Sequence, residues 1–288
     1  MSGTSALSLR DLTISFRDGS TVVQATTLSL DKGTVHGIAG ESGSGKTMTA
    51  LAILGLLPKG MKATGSITLS SVDGDIELLG ASAATLGAVR GRRVAMIFQD
   101  PSTSLHPQLT IGRQLTDHVR HHLALGKDEA GARAIALLRR VAVPDPEIAM
   151  TKFPHQFSGG QRQRIAIAVA LACDPEVLLA DEPTTALDVT VQAGVVRLLR
   201  GLVDDTGLSL LFVTHDLGVM SAIADHVSVM RSGVVVESGQ RSQVFSAPQH
   251  PYTKALLEAL PGSTFEESPE VLAEQLLHDG EVPDGGAS

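Results

Sequence analysis

The chain has one cysteine, Cys173, among its 288 residues. That excludes an internal disulfide and any zinc or iron–sulfur cage built on cysteine, and it fits a reducing compartment. Basic charge is also scarce: 23 Lys and Arg stand against 31 Asp and Glu, for a net charge of −8 and a pI near 5.6. Dedicated nucleic-acid binders carry a basic surplus, so that class is disfavoured. No apolar run approaches the ~18 residues that a membrane span requires; the longest candidates are 50–57 and 165–173. Residues 1–9 lack a basic region followed by an apolar core, so no secretory signal is visible. The expectation is a soluble intracellular protein, or one held to a membrane only through a partner. Hydrophobic residues make up 43% of the chain, enough for a sizeable core in one large domain or two ordinary ones.

What is present is first of all Gly40-Glu41-Ser42-Gly43-Ser44-Gly45-Lys46-Thr47, a G-x-x-x-x-G-K-[ST] phosphate loop. Residues 34–39 before it read as a buried strand, and 48–57 after it read as a helix with Leu51, Leu54 and Leu57 on one side. Glycines let the backbone curl with its N–H groups inward, and the helix adds its positive end, so the concavity suits phosphate. Lys46 is expected to reach the β/γ-phosphates of a nucleoside triphosphate, and Thr47 to hold Mg²⁺.

Further along, residues 177–180 form an apolar run ending in Asp181 and Glu182, at a strand end where open α/β sheets place their chemistry. Asp181 is expected to support the Mg²⁺ shell and Glu182 to act as base or positioner for an attacking water. Ser158-Gly159-Gly160 opens a helix and offers a second anion site through its N–H groups and hydroxyl.

The coarse organisation is an N-terminal antiparallel sheet from Leu7 to Leu30, with one slip in alternation at Arg10-Asp11, and a hairpin from Ser66 to Leu79 turning at Asp73-Gly74. A helical stretch runs from Ile111 to Val141, with Ile111, Leu115, Val119 and Leu123 four apart. Strands then alternate with helices to Val236, which argues for a mostly parallel sheet covered on both faces. After Gly262 there are seven acidic residues and no Lys or Arg, so 263–288 reads as a flexible acidic tail, loosely helical at most around Ser268 to Leu277.

These motifs together resemble the nucleotide-binding subunit of an ATP-binding cassette transporter, over roughly residues 7–260. Phe16 stands where the family places an aromatic on adenine, Gln99 in the glutamine loop, and Ser158-Gly159-Gly160-Gln161 in the signature. Asp181-Glu182-Pro183 matches Walker B, Ala186-Leu187-Asp188 the D-loop, and Thr214-His215-Asp216 the switch histidine. The resemblance implies an α/β fold with a RecA-like core sheet, an N-terminal antiparallel β subdomain and a helical insert at about 100–157, within an ATPase domain of residues 1–262. It implies Glu182, His215 and Gln99 as catalytic residues, with Thr47, Gln99 and Asp181 around Mg²⁺. The remaining ATP contacts would be Phe16, the loop from Gly40 to Thr47, and, used across a pair of cassettes, Ser158 to Gln161 and Asp188.

Finer resemblance, at 98–105, 153–160 and 250–257, points to the peptide and nickel importer branch. It implies a second and non-identical cassette, two transmembrane permease subunits, an extracytoplasmic substrate-binding protein, a place at the cytoplasmic face of the membrane, and no nucleic acid. His106 and Phe157 depart from the usual asparagine and leucine, and the cysteine-rich segment of some peptide-importing relatives is missing, which leaves nickel or metallophore uptake beside peptide uptake. A cassette working on DNA or ribosomes is the alternative class; the gap from Lys46 to Ser158 has no sustained heptads to support it. A catalytically dead cassette is disfavoured by Glu182 and His215. His118, His121 and His122 share a helix face at metal-ligand spacing but are read as an exposed or partner-facing arm surface.

Overall fold

The computed structural model describes residues 5–70, 74–100, 104–185 and 187–259. The expected tail after Gly262, the turn residue Asp73, part of the glutamine-loop stretch at 101–103 and Ala186 lie outside these.

The first sheet has the order β2-β1-β4-β5, all antiparallel, from β1 (Ser5–Phe16), β2 (Thr21–Asp31), β4 (Met61–Leu69) and β5 (Ile76–Glu77). The slip at Arg10-Asp11 is a bulge. Asp11 takes φ 49°, the register with β4 shifts between Arg10 and Thr13, and Leu9 and Leu12 both remain fully buried. Across from it stands Gly65, where a Cβ would lie 2.6 Å from the carbonyl oxygens of Arg10 and Asp11.

The second sheet has the order β10-β9-β3-β8-β7-β6. Its strands β3 (Val35–Ala39), β6 (Val94–Ile97), β7 (Val177–Asp181), β8 (Ser209–Thr214) and β9 (His226–Arg231) are parallel, and only β10 (Val234–Gln240) runs antiparallel, on β9. β3, β7 and β8 are buried along their whole length, which explains why they are mostly apolar rather than alternating. Alternate residues feed two cores. Leu211 and Val213 face the first sheet and α1 (Lys46–Ile53) with Leu9, Ile14 and Ile53. Leu210 and Phe212 face α6 (Gly159–Ala170) and α7 (Val189–Thr206) with Ile165, Leu199 and Val203.

The helical insert is α3 (Ile111–Leu123) and α4 (Lys127–Arg140), followed by the short α5 (Pro146–Ala149). Ile111, Leu115 and Val119 are fully buried as their spacing predicts, while Leu123 at the helix end is only partly buried. Two expectations need correction. The helix after the phosphate loop spans 46–53 rather than 48–57, because Gly55 at φ 60° terminates it, with the Leu56 N–H bonded back to the Leu51 carbonyl. Helix α2 (Ala83–Val89), capped by Ser82, was not expected; it buries only Val89 and so leaves no periodic apolar signal. After α8 (Leu217–Ile223) the chain adds α9 (Arg241–Ser246) and α10 (Pro251–Glu258).

His36 ties the two sheets together. Its Nδ1 donates to the Ser29 carbonyl at 2.8 Å, so Nε2 accepts from Ser228 Oγ, also at 2.8 Å. Burial holds its pKa down at about 4, with the Ser29 carbonyl opposing and neighbouring His226 adding to the fall. The folded chain therefore refuses a proton that the unfolded chain accepts below about pH 6.5. Stability should be complete above that pH and fall as the pH drops towards 4, by roughly 3 kcal/mol in total. Urea midpoints between pH 7 and 4 check this: His36→Gln should flatten the slope relative to wild type, and parallel slopes would refute it.

Candidate nucleotide site

Four adjacent strands, in the sheet order β3-β8-β7-β6, each end at a residue of the site. β3 runs into the phosphate loop, β8 ends just before His215, β7 ends at Asp181 beside Glu182, and β6 ends two residues before Gln99. Parallel order thus brings distant sequence segments to one edge, the carboxyl edge. There they line a cavity of about 880 Å³ with Phe16, Gly40 to Gly43, Gly45 to Thr47, Gln99, Glu182 and His215. Phe16, at the end of β1, is 46% exposed.

The loop has the backbone that a phosphate cradle needs. Gly40, Gly43 and Gly45 have φ of 148°, 81° and 104°. A Cβ on Gly40 would lie 2.1 Å from the Met230 carbonyl oxygen, whereas one on Gly43 would meet nothing within 4 Å. No side chain caps α1, so its first N–H groups remain available, and the Ser44 hydroxyl is buried without a partner. Lys46 is buried and closes the loop on itself, donating to the carbonyls of Gly40 at 2.7 Å and Glu41 at 2.8 Å. Burial lowers its pKa, against the pull of Glu182 and Asp181.

The acidic side is held as tightly. Thr47 Oγ1 donates to Asp181 Oδ1 at 3.0 Å, and burial pushes the Asp181 pKa up against that bond. Glu182 sits at φ 47°, with its N–H donating to the Val213 carbonyl at 2.8 Å. Three side chains converge on its carboxylate. Gln99 Nε2 at 3.1 Å and Thr185 Oγ1 at 2.9 Å bond Oε2, and His215 Nδ1 lies 3.2 Å from Oε1. A carboxylate has about four acceptor positions, so this one keeps capacity for a further donor such as water.

Ser158 to Gln161 and Asp188 do not line this cavity. Ser158 caps α6: its Oγ accepts from the Gln161 N–H at 3.3 Å, while Gln161 Oε1 accepts from the Ser158 N–H at 3.0 Å. Asp188 caps α7 through the Val191 N–H at 3.0 Å. The two helix starts touch, since a Cβ on Gly160 would lie 2.5 Å from Val191 Cγ1.

Sequence reasoning missed Thr185, which lies three residues after Glu182 in a turn without a periodic signal, and it missed Tyr252, whose phenol oxygen accepts from the Glu41 N–H at 3.3 Å. The His118, His121 and His122 rings pack edge to face, at 4.7 and 4.8 Å. Among the described residues no group of three His, Cys, Asp or Glu side chains is arranged to hold a metal.

Residues 23–185 match the family described as ABC transporter, and residues 236–280 match the oligopeptide/dipeptide transporter C-terminal region. The oligopeptide transport ATP-binding protein OppD of Bacillus subtilis (strain 168) is 45% identical over 263 residues, covering 90% of this chain and 72% of that protein. The glutathione import ATP-binding protein GsiA of Escherichia coli O157:H7 is 45% identical over 261 residues, 88% of this chain but only 42% of its own length. Among solved structures, the dimeric cassette MJ0796 in a post-hydrolysis state bound to ADP and Pi superposes with a TM-score of 0.71 at 27% identity, covering 82% of this chain and 98% of that one.

The loop glycines separate two physical costs. Gly40→Ala meets both an unfavourable φ and the Met230 backbone, and should destabilise by about 3 kcal/mol or more, whereas Gly43→Ala meets only the φ cost of about 1 kcal/mol. Thermal melting of the two variants checks this, and equal shifts would remove the Met230 contact from the account.

Proposed function

This chain belongs to the ABC transporter family of ATP-binding, ATP-hydrolysing subunits, and from that premise we propose that it powers import of di- or oligopeptides. The peptide assignment draws on the match of 236–280 and on what OppD and GsiA are named for. No observation favours nickel or metallophore uptake over it, and the insert of two packed helices offers nothing to a DNA-type or ribosome-type cassette.

The observation that carries the catalytic reading is the Glu182 carboxylate held by Gln99, Thr185 and His215 at the mouth of the phosphate loop's cavity. Lys46 exchanges its two loop carbonyls for the β- and γ-phosphates, and the loop N–H groups hold the remaining phosphate oxygens. Glu182 orients the attacking water and takes its proton, while His215 and Gln99 fix the carboxylate in place. Phe16 offers its exposed ring to the adenine. Thr47, Asp181 and the Gln99 carboxamide oxygen would hold Mg²⁺, whose chemistry is to neutralise charge between the phosphates. Ser158, Gly159, Gly160, Gln161 and Asp188 serve the ATP of a second, non-identical cassette.

The partners proposed are that second cassette, two permease subunits and an extracytoplasmic binding protein, with this chain at the cytoplasmic face. No helix among the described residues is long and apolar enough to cross a membrane. A second cavity of about 240 Å³ includes Leu56, Phe98, Ser104 and His118 in its lining, beside Gln99 and against the insert. Leu56 and Phe98 are large apolar side chains 42% and 37% exposed there, which suits a short helix from a permease.

Glu182→Gln should retain ATP affinity, lose roughly two or more orders of magnitude in turnover, and accumulate an ATP-bound pair. Turnover equal to wild type in the assembled transporter removes Glu182 from this role. Leu56→Asp should leave ATP binding by the isolated chain unchanged and sharply reduce transport; transport at the wild-type rate would place the permease elsewhere.

A further inference from the structure

The His-Pro-Tyr segment at 250–252 has a physical reading that leads to the nucleotide. His250 is the cap of α10, its Nδ1 accepting from the Tyr252 N–H at 3.1 Å, and Pro251 is the first helical residue. The helix start is anchored on β10, where the Glu237 carboxylate accepts the N–H groups of Gln249 at 2.7 Å and His250 at 3.0 Å. Thus fixed, α10 presents Tyr252 and Leu256, one turn apart, to the phosphate loop: Leu256 lines the nucleotide cavity and Tyr252 reaches the Glu41 N–H. The Tyr252 ring is buried, with the Arg231 guanidinium 4.7 Å from its centroid.

That contact falls on a particular peptide unit. The Gly40 carbonyl and the Glu41 N–H belong to one plane; Lys46 holds its oxygen end and Tyr252 its nitrogen end. On the reading proposed above, Lys46 must leave that carbonyl to meet a triphosphate. A peptide then held at neither end is free to turn its oxygen towards the phosphates, which repel it.

We propose that Tyr252 is a positioning residue of the nucleotide site: by accepting the Glu41 N–H, its phenol keeps the Gly40–Glu41 peptide in its binding orientation when Lys46 moves to ATP. The C-terminal helix is then part of the nucleotide site. Burial raises the phenol's pKa, with the Glu41 N–H opposing and the Glu41 carboxylate adding to the rise, so it stays protonated at neutral pH.

The inference rests on the nucleotide-site reading, and the test separates the two. Tyr252→Phe removes one oxygen and keeps the ring beneath Arg231. In the full chain it should weaken ATP binding about three- to tenfold, the worth of one hydrogen bond, with a melting temperature close to wild type. In the assembled transporter the KM for ATP should rise with kcat nearly unchanged. Wild-type affinity in Tyr252→Phe, or an affinity loss matched by a fall in melting temperature, each overturns the proposal, while Lys46→Ala still binds poorly. If wild type binds no ATP, or Lys46→Ala binds as well as wild type, the nucleotide-site reading fails and this inference with it.

Discussion

Everything at the site follows from putting charge where the sheet ends. Asp181 and Glu182 follow an apolar strand with no exposed residue, and Lys46 is itself buried, so each charge needs a defined partner. The parallel order supplies them. β3 brings Lys46 and Thr47 through its loop, β6 brings Gln99 and β8 brings His215, all to the end of β7. The φ of 47° at Glu182 is a local cost on the order of 1 kcal/mol, and it is held in place by the Val213 carbonyl and the three side chains on the carboxylate. Strain of this kind persists only where the surroundings over-determine it.

The loop shows the same logic on the anionic side. Met230 and Gly233, from the β9–β10 hairpin, press on it: the Met230 carbonyl occupies the space that a Gly40 side chain would need, and the Gly233 N–H donates to the Ser44 carbonyl at 3.0 Å. The cradle is therefore shaped by the edge of the core sheet as well as by its own glycines.

What was legible in the sequence was local or periodic. The phosphate loop, the buried runs of β3, β7 and β8, the bulge at Arg10-Asp11 and the four-residue spacing of α3 each lie within a dozen or so residues. The glutamine and the switch histidine were legible only through family resemblance; the bond that makes Gln99 relevant to Glu182, for one, spans 83 positions. Helix α2 was silent because it buries one residue. Tyr252 was visible as part of a motif, yet its partner lies 211 positions away, and no pattern along the chain connects a C-terminal helix to the second residue of a phosphate loop.

The residues outside the cavity carry the last step. Ser158 and Asp188 both act as helix caps, Gly160 lets those two helix starts meet at Val191, and none of these residues lines the cavity at the chain's own phosphate loop. A capped helix start still presents outward N–H groups, and the Ser158 hydroxyl, though it accepts from Gln161, keeps its own proton to donate. On the reading proposed above, the corner where the two helix starts meet serves a phosphate that another chain brings. On the proposed reading, the chain holds two halves of two different sites, and motion of either helix start is transmitted to the other through the Gly160–Val191 contact. A side chain at Gly160 would therefore disturb the D-loop as well as the signature, coupling the two across any pair of cassettes that this chain joins.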